Sequence, residues 1–165
     1  MECRVCCAND FREVINLKNQ PWGNHFLKND ERGKEPQYPL KVVYCNKCQT
    51  AQLDYTVKKE VMFSDHTYLS GITKSLDNHF YDLASYVDAT FFCNEKKKSV
   101  LDIGSNDGTQ LKHYQLLGYD VLGVESSCST AIIANDRNIN TLNTFFNLNT
   151  ALDINRKFSV INASG

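Results

Sequence analysis

The fold of this 165-residue chain is decided by the stretch Leu101-Asp102-Ile103-Gly104-Ser105-Asn106-Asp107-Gly108-Thr109. The apolar run over residues 99–103 predicts a short buried strand that leads directly into this glycine-rich turn. An amphipathic helix is expected over residues 111–117, followed by a second strand over residues 120–124 that ends in Glu125. A strand, a glycine-rich turn, a helix and a second strand ending in an acid are the opening of a Rossmann-type unit.

The same alternation of strands and helices continues through the rest of the sequence. Apolar patterning predicts helices over residues 129–135 and 148–154, and strands over residues 139–142 and 158–162. Strands and helices in this order predict one parallel sheet with right-handed crossovers, which is an α/β fold. Only four strands are expected, so the sheet is a partial Rossmann-like sheet whose last strand lies at an unprotected edge.

The glycine-rich turn and Glu125 are the candidate ligand-binding features of this unit. Glu125 follows Gly104 at about 20 residues, the offset at which an acid reaches ribose hydroxyls. A dinucleotide-binding turn has glycine at its third position, but Asn106 stands there, and Asp107 adds a carboxylate that would repel phosphate at the helix N-terminus. S-adenosylmethionine (SAM) has no phosphate and carries a positive sulfonium and an ammonium, which favours SAM over NAD; a turn with no ligand is the alternative. The candidate cofactor-binding residues are Asp102, Gly104, Ser105, Asn106, Asp107, Gly108 and Glu125.

Seven cysteines point to a metal site in the first third of the chain. The number is odd and the first ten residues lack the apolar core of a signal peptide, so a disulfide framework is the weaker interpretation. Four cysteines form two C-x-x-C pairs, Cys3 with Cys6 and Cys45 with Cys48. Two such knuckles supply four thiolates for a structural zinc ion. The alternative is two unrelated pairs of buried or redox-active thiols.

The segment between the two knuckles is expected to be a small loop-rich lobe. All three prolines fall between residues 18 and 41, and strands are predicted only over residues 40–44 and 52–57. Cys7 stands where a zinc knuckle often has glycine, and it is expected to be a packed free thiol or a competing ligand. Cys93 and Cys128 are expected to be small buried apolar residues.

Overall composition excludes several classes of protein. The chain is 42% apolar and 22% charged, with a net charge of −1, which is typical of a folded globular protein. A net charge near zero disfavours nucleic acid or an anionic membrane as the main partner. The sequence has no apolar run of about 18 residues, so no transmembrane helix is expected. A cytoplasmic location is expected from the cysteines and the absence of a signal peptide.

The motifs, taken in order, resemble the zinc-containing, SAM-dependent C-methyltransferases of deoxysugar pathways. The resemblance extends over essentially the whole chain, although each motif alone would be unspecific. The matching segments are Cys3-Arg4-Val5-Cys6, Pro21-Trp22-Gly23-Asn24-His25-Phe26-Leu27, Tyr38-Pro39-Leu40, Cys45-Asn46-Lys47-Cys48, Gln52-Leu53, Tyr68-Leu69-Ser70-Gly71, Asp77-Asn78-His79-Phe80, the stretch 101–109, and Gly123-Val124-Glu125.

The resemblance implies a reaction and a substrate class. Members of this family transfer a methyl group from SAM to a carbon next to a ketone on a nucleotide-linked sugar, and a zinc lobe precedes their SAM-binding domain. Tyr68 matches a family tyrosine that faces the substrate, so it is the candidate catalytic residue; an aromatic side chain packed under the zinc lobe is the alternative. The expected partner is therefore a small molecule, with zinc and SAM as cofactors.

The expected organisation has three parts: a zinc lobe over residues 1–60, a helical connecting segment over residues 61–95, and a partial SAM-binding domain over residues 96–165. The catalytic histidine and glutamate–histidine positions of the family would lie beyond the fourth strand. The chain is therefore expected to be an N-terminal fragment of a C-methyltransferase, inactive alone unless a partner chain supplies the rest. The alternative is a non-catalytic zinc- and SAM-binding module or a subunit of a split enzyme. His113 is expected to be exposed, and no histidine of the chain is expected to act as the base.

Overall fold

The computed structural model describes residues 1–23, 27–64 and 68–164. The chain divides into two compact units, Met1–Met62 and Phe63–Gly165. Asn24, His25 and Phe26 of the matching segments lie outside the described residues.

The first unit is built on a small antiparallel sheet. Its strands are β1 (Phe11–Pro21), β2 (Gln37–Cys45) and β3 (Ala51–Leu53), in the order β1-β2-β3, and helix α1 covers Lys59–Phe63. Among the described residues of this unit, only Cys3, Val43 and Cys45 are buried. A sheet with so little buried apolar surface cannot be held by a hydrophobic core, so another source of stability is required.

The predicted loop over residues 18–41 is wrong at both ends, because β1 continues to Pro21 and β2 begins at Gln37. β1 lies at the edge of the sheet and its pairing with β2 shifts register twice, between Glu13 and Ile15 and between Asn16 and Asn19. These irregularities break the two-residue alternation by which a strand is recognised in sequence. β3 is also shorter than the predicted strand over residues 52–57.

The second unit is a four-stranded parallel sheet, which confirms the predicted α/β class. Its strands lie in the order β6-β5-β4-β7, and each of the three pairings is parallel. This order begins a Rossmann sheet, with the first strand of the unit at its centre. The strands are β4 (Ser99–Ile103), β5 (Asp120–Glu125), β6 (Thr141–Asn143) and β7 (Val160–Asn162). The helices are α2 (Lys74–Val87), α3 (Thr109–Leu116), α4 (Cys128–Asp136) and α5 (Leu148–Ile154), with a 3-10 turn at Ser70–Ile72 and a π-helical turn at Asp88–Phe92.

Apolar side chains cover both faces of this sheet. One face carries the main cluster, to which β4, β5 and helices α2, α3 and α4 contribute, and the other carries a smaller cluster beside α5. β7 lies at one edge of the sheet formed by the described residues, as predicted. The main cluster consists of Ala84, Val100, Leu111, Tyr114, Tyr119, Val121, Ala134 and Ile139, and the smaller one of Leu101, Leu122 and Val124.

Three predictions about side-chain exposure are wrong. His113 is 8% exposed, because α2 packs on the face of α3 that carries it, and its Nε2 lies 2.9 Å from Asp77 Oδ1. Cys93 and Cys128 are exposed rather than buried. Cys93 follows the π-helical turn and Cys128 is the first residue of α4.

Within residues 1–23, 27–64 and 68–164, no helix combines the length and the hydropathy that a membrane-spanning helix needs.

Substitution of Gly108 is expected to destabilise the second unit for two reasons, a steric contact of the new side chain with Ile139 and a positive φ that other residues adopt at a cost. Gly108 has φ +76°, and a Cβ there would lie 2.9 Å from Ile139 Cγ2. Gly118 has φ +82° with no atom within 4 Å of the corresponding position. We expect Gly118→Ala to lower the free energy of unfolding by about 1 kcal/mol and Gly108→Ala by about 2–4 kcal/mol, measured by urea denaturation. Equal losses for the two variants would contradict the assigned contact with Ile139.

Candidate functional site

The two C-x-x-C pairs come together in the first unit. The sulfur atoms of Cys3, Cys6, Cys45 and Cys48 all lie within 4.8 Å of one another. Cys3 Sγ is 3.6 Å from Cys48 Sγ, and Cys6 Sγ is 3.6 Å from Cys45 Sγ. Four sulfurs around one zinc ion at about 2.3 Å stand about 3.8 Å apart, so this set fits a tetrahedral zinc site.

The two knuckles share one backbone conformation. The residue after the second cysteine donates its N–H to the carbonyl of the first: Cys7 to Cys3 and Gln49 to Cys45, both at 2.9 Å. Cys7 has φ +59° and Gln49 has φ +64°, the left-handed region that glycine adopts most easily. The preference for glycine noted at position 7 therefore has a physical basis, and Cys7 itself is exposed and lies outside the four-sulfur cluster.

The electrostatics of the cluster call for a cation. Hydrogen bonds from the side chain and backbone of Thr50 lower the pKa of Cys48 to about 6. A backbone hydrogen bond from Ala8 also lowers the pKa of Cys6, but burial and the thiols of its three neighbours outweigh it and raise that pKa to about 12. The pKa values of Cys6 and Cys48 are thus shifted in opposite directions, and a bound divalent metal would stabilise the thiolate form of its ligands.

In the second unit, the glycine-rich turn lies at the carboxyl ends of β4 and β5. The backbone N–H groups of Gly104 and Ser105 donate to Val124 O at 2.8 and 3.3 Å, which ties the turn to β5. Gly104 has φ +74°, and the space in which its Cβ would stand is open. The backbone of the turn is thus accessible there to a ligand.

Glu125 bridges the ends of the same two strands. Its Oε2 accepts the N–H of Asn106 at 2.8 Å, and its Oε1 accepts the N–H of Ser127 at 2.7 Å. The side chain is buried. A carboxylate oxygen has two lone pairs, so each oxygen keeps an accepting position after these bonds are made.

Asp107 is neutralised by its neighbours. It is 1% exposed, and its Oδ2 accepts from Arg137 Nη1 at 3.0 Å and from Gly71 N at 3.1 Å. Its Oδ1 accepts from Thr109 N at 3.2 Å and Thr109 Oγ1 at 2.6 Å. This carboxylate is paired with a cation, so charge repulsion of phosphate is not its main effect. It occupies a donor in the first turn of α3 that a phosphate would otherwise use.

A four-residue segment, Tyr68-Leu69-Ser70-Gly71, is fastened to the turn; we call it the strap. Asn106 Oδ1 accepts the N–H of Ser70 at 2.9 Å, and Asn106 Nδ2 donates to Tyr68 O at 2.9 Å. Tyr68 itself is 54% exposed. A Cβ on Gly71 would lie 2.6 Å from Thr109 Oγ1, so the strap can approach this closely only with glycine there. The candidate catalytic residue therefore lies beside the candidate cofactor turn.

Buried polar groups without partners surround a small cavity next to the turn. The cavity holds about 20 Å³, and its lining includes Asp102, Gly104, Ser105 and Gln110. Within the described part of the chain, Ser105 Oγ and Gln110 Nε2 are buried and have no hydrogen-bond partner. Burial, together with the charge of Glu125, raises the pKa of Asp102 to about 7. A cavity of about this size holds one water molecule, which could supply partners for these two groups.

Sequence reasoning did not identify Gln110, Arg137 or the bonds of the strap. Gln110 lies in the first turn of α3, directly after the stretch 101–109. Its closeness to the glycine-rich turn is the sequence feature that could have identified it. The candidate cofactor residues predicted from the sequence lie together at the turn and at Glu125. Asp107 differs from the others, because both of its carboxylate oxygens already accept hydrogen bonds from protein groups.

Comparisons with known proteins give a family match and a curated relative. Residues 3–63 match a family described as "Putative zinc binding domain". The C-methyltransferase NovU of Streptomyces niveus is 29% identical in an alignment over 147 residues that covers 86% of this chain and 34% of that protein. The chain thus spans about a third of the length of this curated relative.

Solved structures give weaker matches. The plantazolicin methyltransferase BpumL in complex with SAH is 28% identical over 51% of this chain and 33% of its own, with a TM-score of 0.39. DesVI of Streptomyces venezuelae is 25% identical over 58% of this chain and 39% of its own, with a TM-score of 0.43. The family match and the relative confirm the resemblance to zinc-binding C-methyltransferases, and together with the four-cysteine cluster they confirm the expectation of zinc.

Loss of one cluster thiol is expected to remove the metal and unfold the first unit. We expect about one zinc ion per wild-type chain and much less in Cys45→Ser, measured by atomic absorption. Fluorescence of Trp22, the single tryptophan of the chain, should then report loss of order in this unit. Cys7→Ser is the matched control and should keep its zinc. Retention of zinc by Cys45→Ser, or an equal loss in Cys7→Ser, would contradict the four-thiolate site.

Asp102 is expected to make the second unit less stable as the pH rises. Between pH 4 and 7 the folded carboxyl holds a proton that the unfolded chain has released, so its contribution to the free energy of unfolding falls with rising pH. The advantage of Asp102→Asn over wild type should therefore grow by at most about 4 kcal/mol from pH 4 to pH 8, measured by urea denaturation.

Subtracting the free energy of unfolding of wild type from that of a variant cancels the contribution of the titratable groups that both proteins have. Asp153→Asn, at an exposed position on α5, is the control, and its stability relative to wild type should change little over the same range. A constant difference between Asp102→Asn and wild type would show that Asp102 ionises normally in the folded chain.

Proposed function

We propose that the second unit binds SAM at the carboxyl ends of β4 and β5, and that the protein is a SAM-dependent C-methyltransferase of small molecules. The observation that carries the proposal is Glu125, a buried acid at the end of β5 that faces the glycine-rich turn in a Rossmann strand order. This is the position from which an acid binds ribose hydroxyls. The name of the 29% identical relative, a C-methyltransferase, supports the same reaction.

The residues present fit SAM better than a dinucleotide. The N–H of Asn106 is held by Glu125 and the N–H of Thr109 by Asp107, so two donors that would bind a pyrophosphate are already occupied. The remaining lone pairs of Glu125 would accept from the ribose hydroxyls. SAM supplies a methyl group on a positively charged sulfur, which makes that methyl electrophilic.

The buried groups around the cavity suit the amino-acid end of the same ligand. Ser105 Oγ and Gln110 Nε2 can donate to a carboxylate, and Asp102 can accept from an ammonium. An ammonium beside Asp102 would favour the ionised carboxylate, which burial and Glu125 otherwise disfavour. Ser105 and Gln110, whose buried polar atoms have no hydrogen-bond partner within the described residues, would each gain one.

The metal has a structural role in this proposal. Four cysteine ligands fill a tetrahedral shell and leave no position for water or substrate. We assign Cys3, Cys6, Cys45 and Cys48 as these ligands. Zinc therefore stabilises the first unit and takes no part in the transfer.

Tyr68 is the proposed catalytic residue. Methyl transfer to a carbon next to a ketone requires that a base take the proton of that carbon and that a donor stabilise the oxygen on which negative charge develops. The phenol of Tyr68 can donate to such an oxygen, and the proposal is supported by the bond from Asn106 Nδ2 of the turn to the backbone carbonyl of Tyr68. The substrate class proposed from the sequence motifs is a keto-deoxysugar linked to a nucleotide.

Loss of the Glu125 carboxylate is expected to weaken SAM binding. We expect Glu125→Gln to raise the Kd for SAM about 10- to 100-fold in isothermal titration of the full chain, since a neutral amide is a weaker acceptor for ribose hydroxyls. Asp120→Asn, at the exposed start of β5, is the matched control and should bind as wild type does. A folded, zinc-loaded wild-type chain that binds no SAM would refute the proposal, as would equal affinities for Glu125→Gln and wild type.

A further inference from the structure

We propose that Arg137 is a positioning residue, which holds both the strap and the glycine-rich turn in place through the carboxylate of Asp107. The inference deepens the proposed function, because the turn that Arg137 fastens is the one to which SAM binding is assigned. No motif in the sequence points to Arg137, which follows α4 and lies 30 residues beyond Asp107.

The contact joins an accessible cation to a buried anion. Arg137 Nη1 lies 3.0 Å from Asp107 Oδ2 and 3.3 Å from the backbone carbonyl of the same residue. The Arg137 side chain is 51% exposed, whereas that of Asp107 is 1% exposed. A carboxylate buried to this degree is costly without a cationic partner, so Asp107 depends on Arg137 far more than Arg137 depends on Asp107.

Asp107 is also hydrogen-bonded to two other segments, the strap and the start of α3. Its Oδ2, the oxygen that Arg137 contacts, also accepts the N–H of Gly71 in the strap. Its Oδ1 accepts the backbone N–H and the hydroxyl of Thr109, the first residue of α3. A single carboxylate thus joins the strap, the turn and the start of α3, and Arg137 fixes its orientation.

The position of Gly71 shows how closely these parts are fitted. A Cβ on Gly71 would lie 2.7 Å from Asp107 Oδ2 and 3.6 Å from Arg137 Nη1. The strap can therefore reach the ion pair only through a residue without a side chain. Tyr68 lies three residues earlier, and its carbonyl is held by Asn106 in the adjacent position of the turn.

Removal of the guanidinium should loosen these segments while leaving the sheet intact. Without Arg137, Asp107 would no longer be held by a cation, and its bonds to Gly71 and Thr109 would open more often. A less ordered turn binds its ligand more weakly, because the cost of ordering it is then met on binding. The expected effects are local disorder in the strap and reduced SAM affinity.

The test compares Arg137→Met with Arg137→Lys in the full, zinc-loaded chain. Amide hydrogen exchange of Gly71 and Thr109, followed by NMR, should accelerate at least 10-fold in Arg137→Met, while the amides of β5 exchange as in wild type. The Kd for SAM should rise about 5- to 30-fold. Arg137→Lys should recover most of both effects, because an ammonium restores the charge beside Asp107.

Two further variants keep the test decisive. Arg156→Met removes the ion pair of Arg156 with Asp120, elsewhere in the same unit, and should leave Gly71 exchange and SAM affinity unchanged. Gly71→Ala keeps both charges but blocks the approach of the strap, so it should raise the Kd for SAM even if Arg137→Met does not fold. A wild-type affinity in Gly71→Ala would count against the inference.

The inference is overturned if Gly71 and Thr109 exchange at the wild-type rate in Arg137→Met. It is also overturned if Arg137→Lys is no better than Arg137→Met, or if Arg156→Met produces the same local change. If the wild-type chain binds no SAM, the proposed function fails, while the exchange rates still decide whether Arg137 positions the strap.

Discussion

In the second unit, the parallel register of β4 against β5 sets Ile103 opposite Val124, and most features of the candidate site follow from this pairing. The next residue of each strand, Gly104 and Glu125, therefore emerges at the same edge of the sheet. The N–H of Gly104 continues the ladder by donating to Val124 O at 2.8 Å. Because parallel strands end together, this register brings the acid and the glycine-rich turn to the same edge of the sheet.

The first unit depends on a different kind of interaction. Its described residues bury only Cys3, Val43 and Cys45, and two of these belong to the four-sulfur cluster. Hydrophobic burial on that scale is too small to hold a folded unit together by itself. Metal coordination, worth on the order of 10 kcal/mol, is the interaction that this unit has available in place of a core.

The sequence predicted the parts of the fold that rest on local pattern. β4, β5 and α5 agree with prediction to within a residue, because each is a short apolar or amphipathic run bounded by polar residues. β1 was missed because it is an exposed, bulged edge strand with no regular alternation. Helical periodicity on α3 does not show that α2 covers His113, and that contact with Asp77 joins residues 36 positions apart. The bonds of Asn106 and Asp107 to the strap are equally distant in sequence and leave no periodic signal.

Asp107 disfavours a phosphate ligand for one reason in the sequence and for another in the structure. In the sequence its carboxylate argues against a phosphate ligand by repulsion, but in the structure Arg137 neutralises that charge. What disfavours a phosphate is that Asp107 and Glu125 already hold the N–H groups of Thr109 and Asn106. Among the described residues that line the small cavity, the side chains of Ser105 and Gln110 have no hydrogen-bond partner, and Asp102 is buried beside them. Asp102 costs stability when it is ionised in the empty unit, and a ligand ammonium would remove that cost. A cationic ligand beside Asp102 would therefore favour the ionised form of this carboxyl.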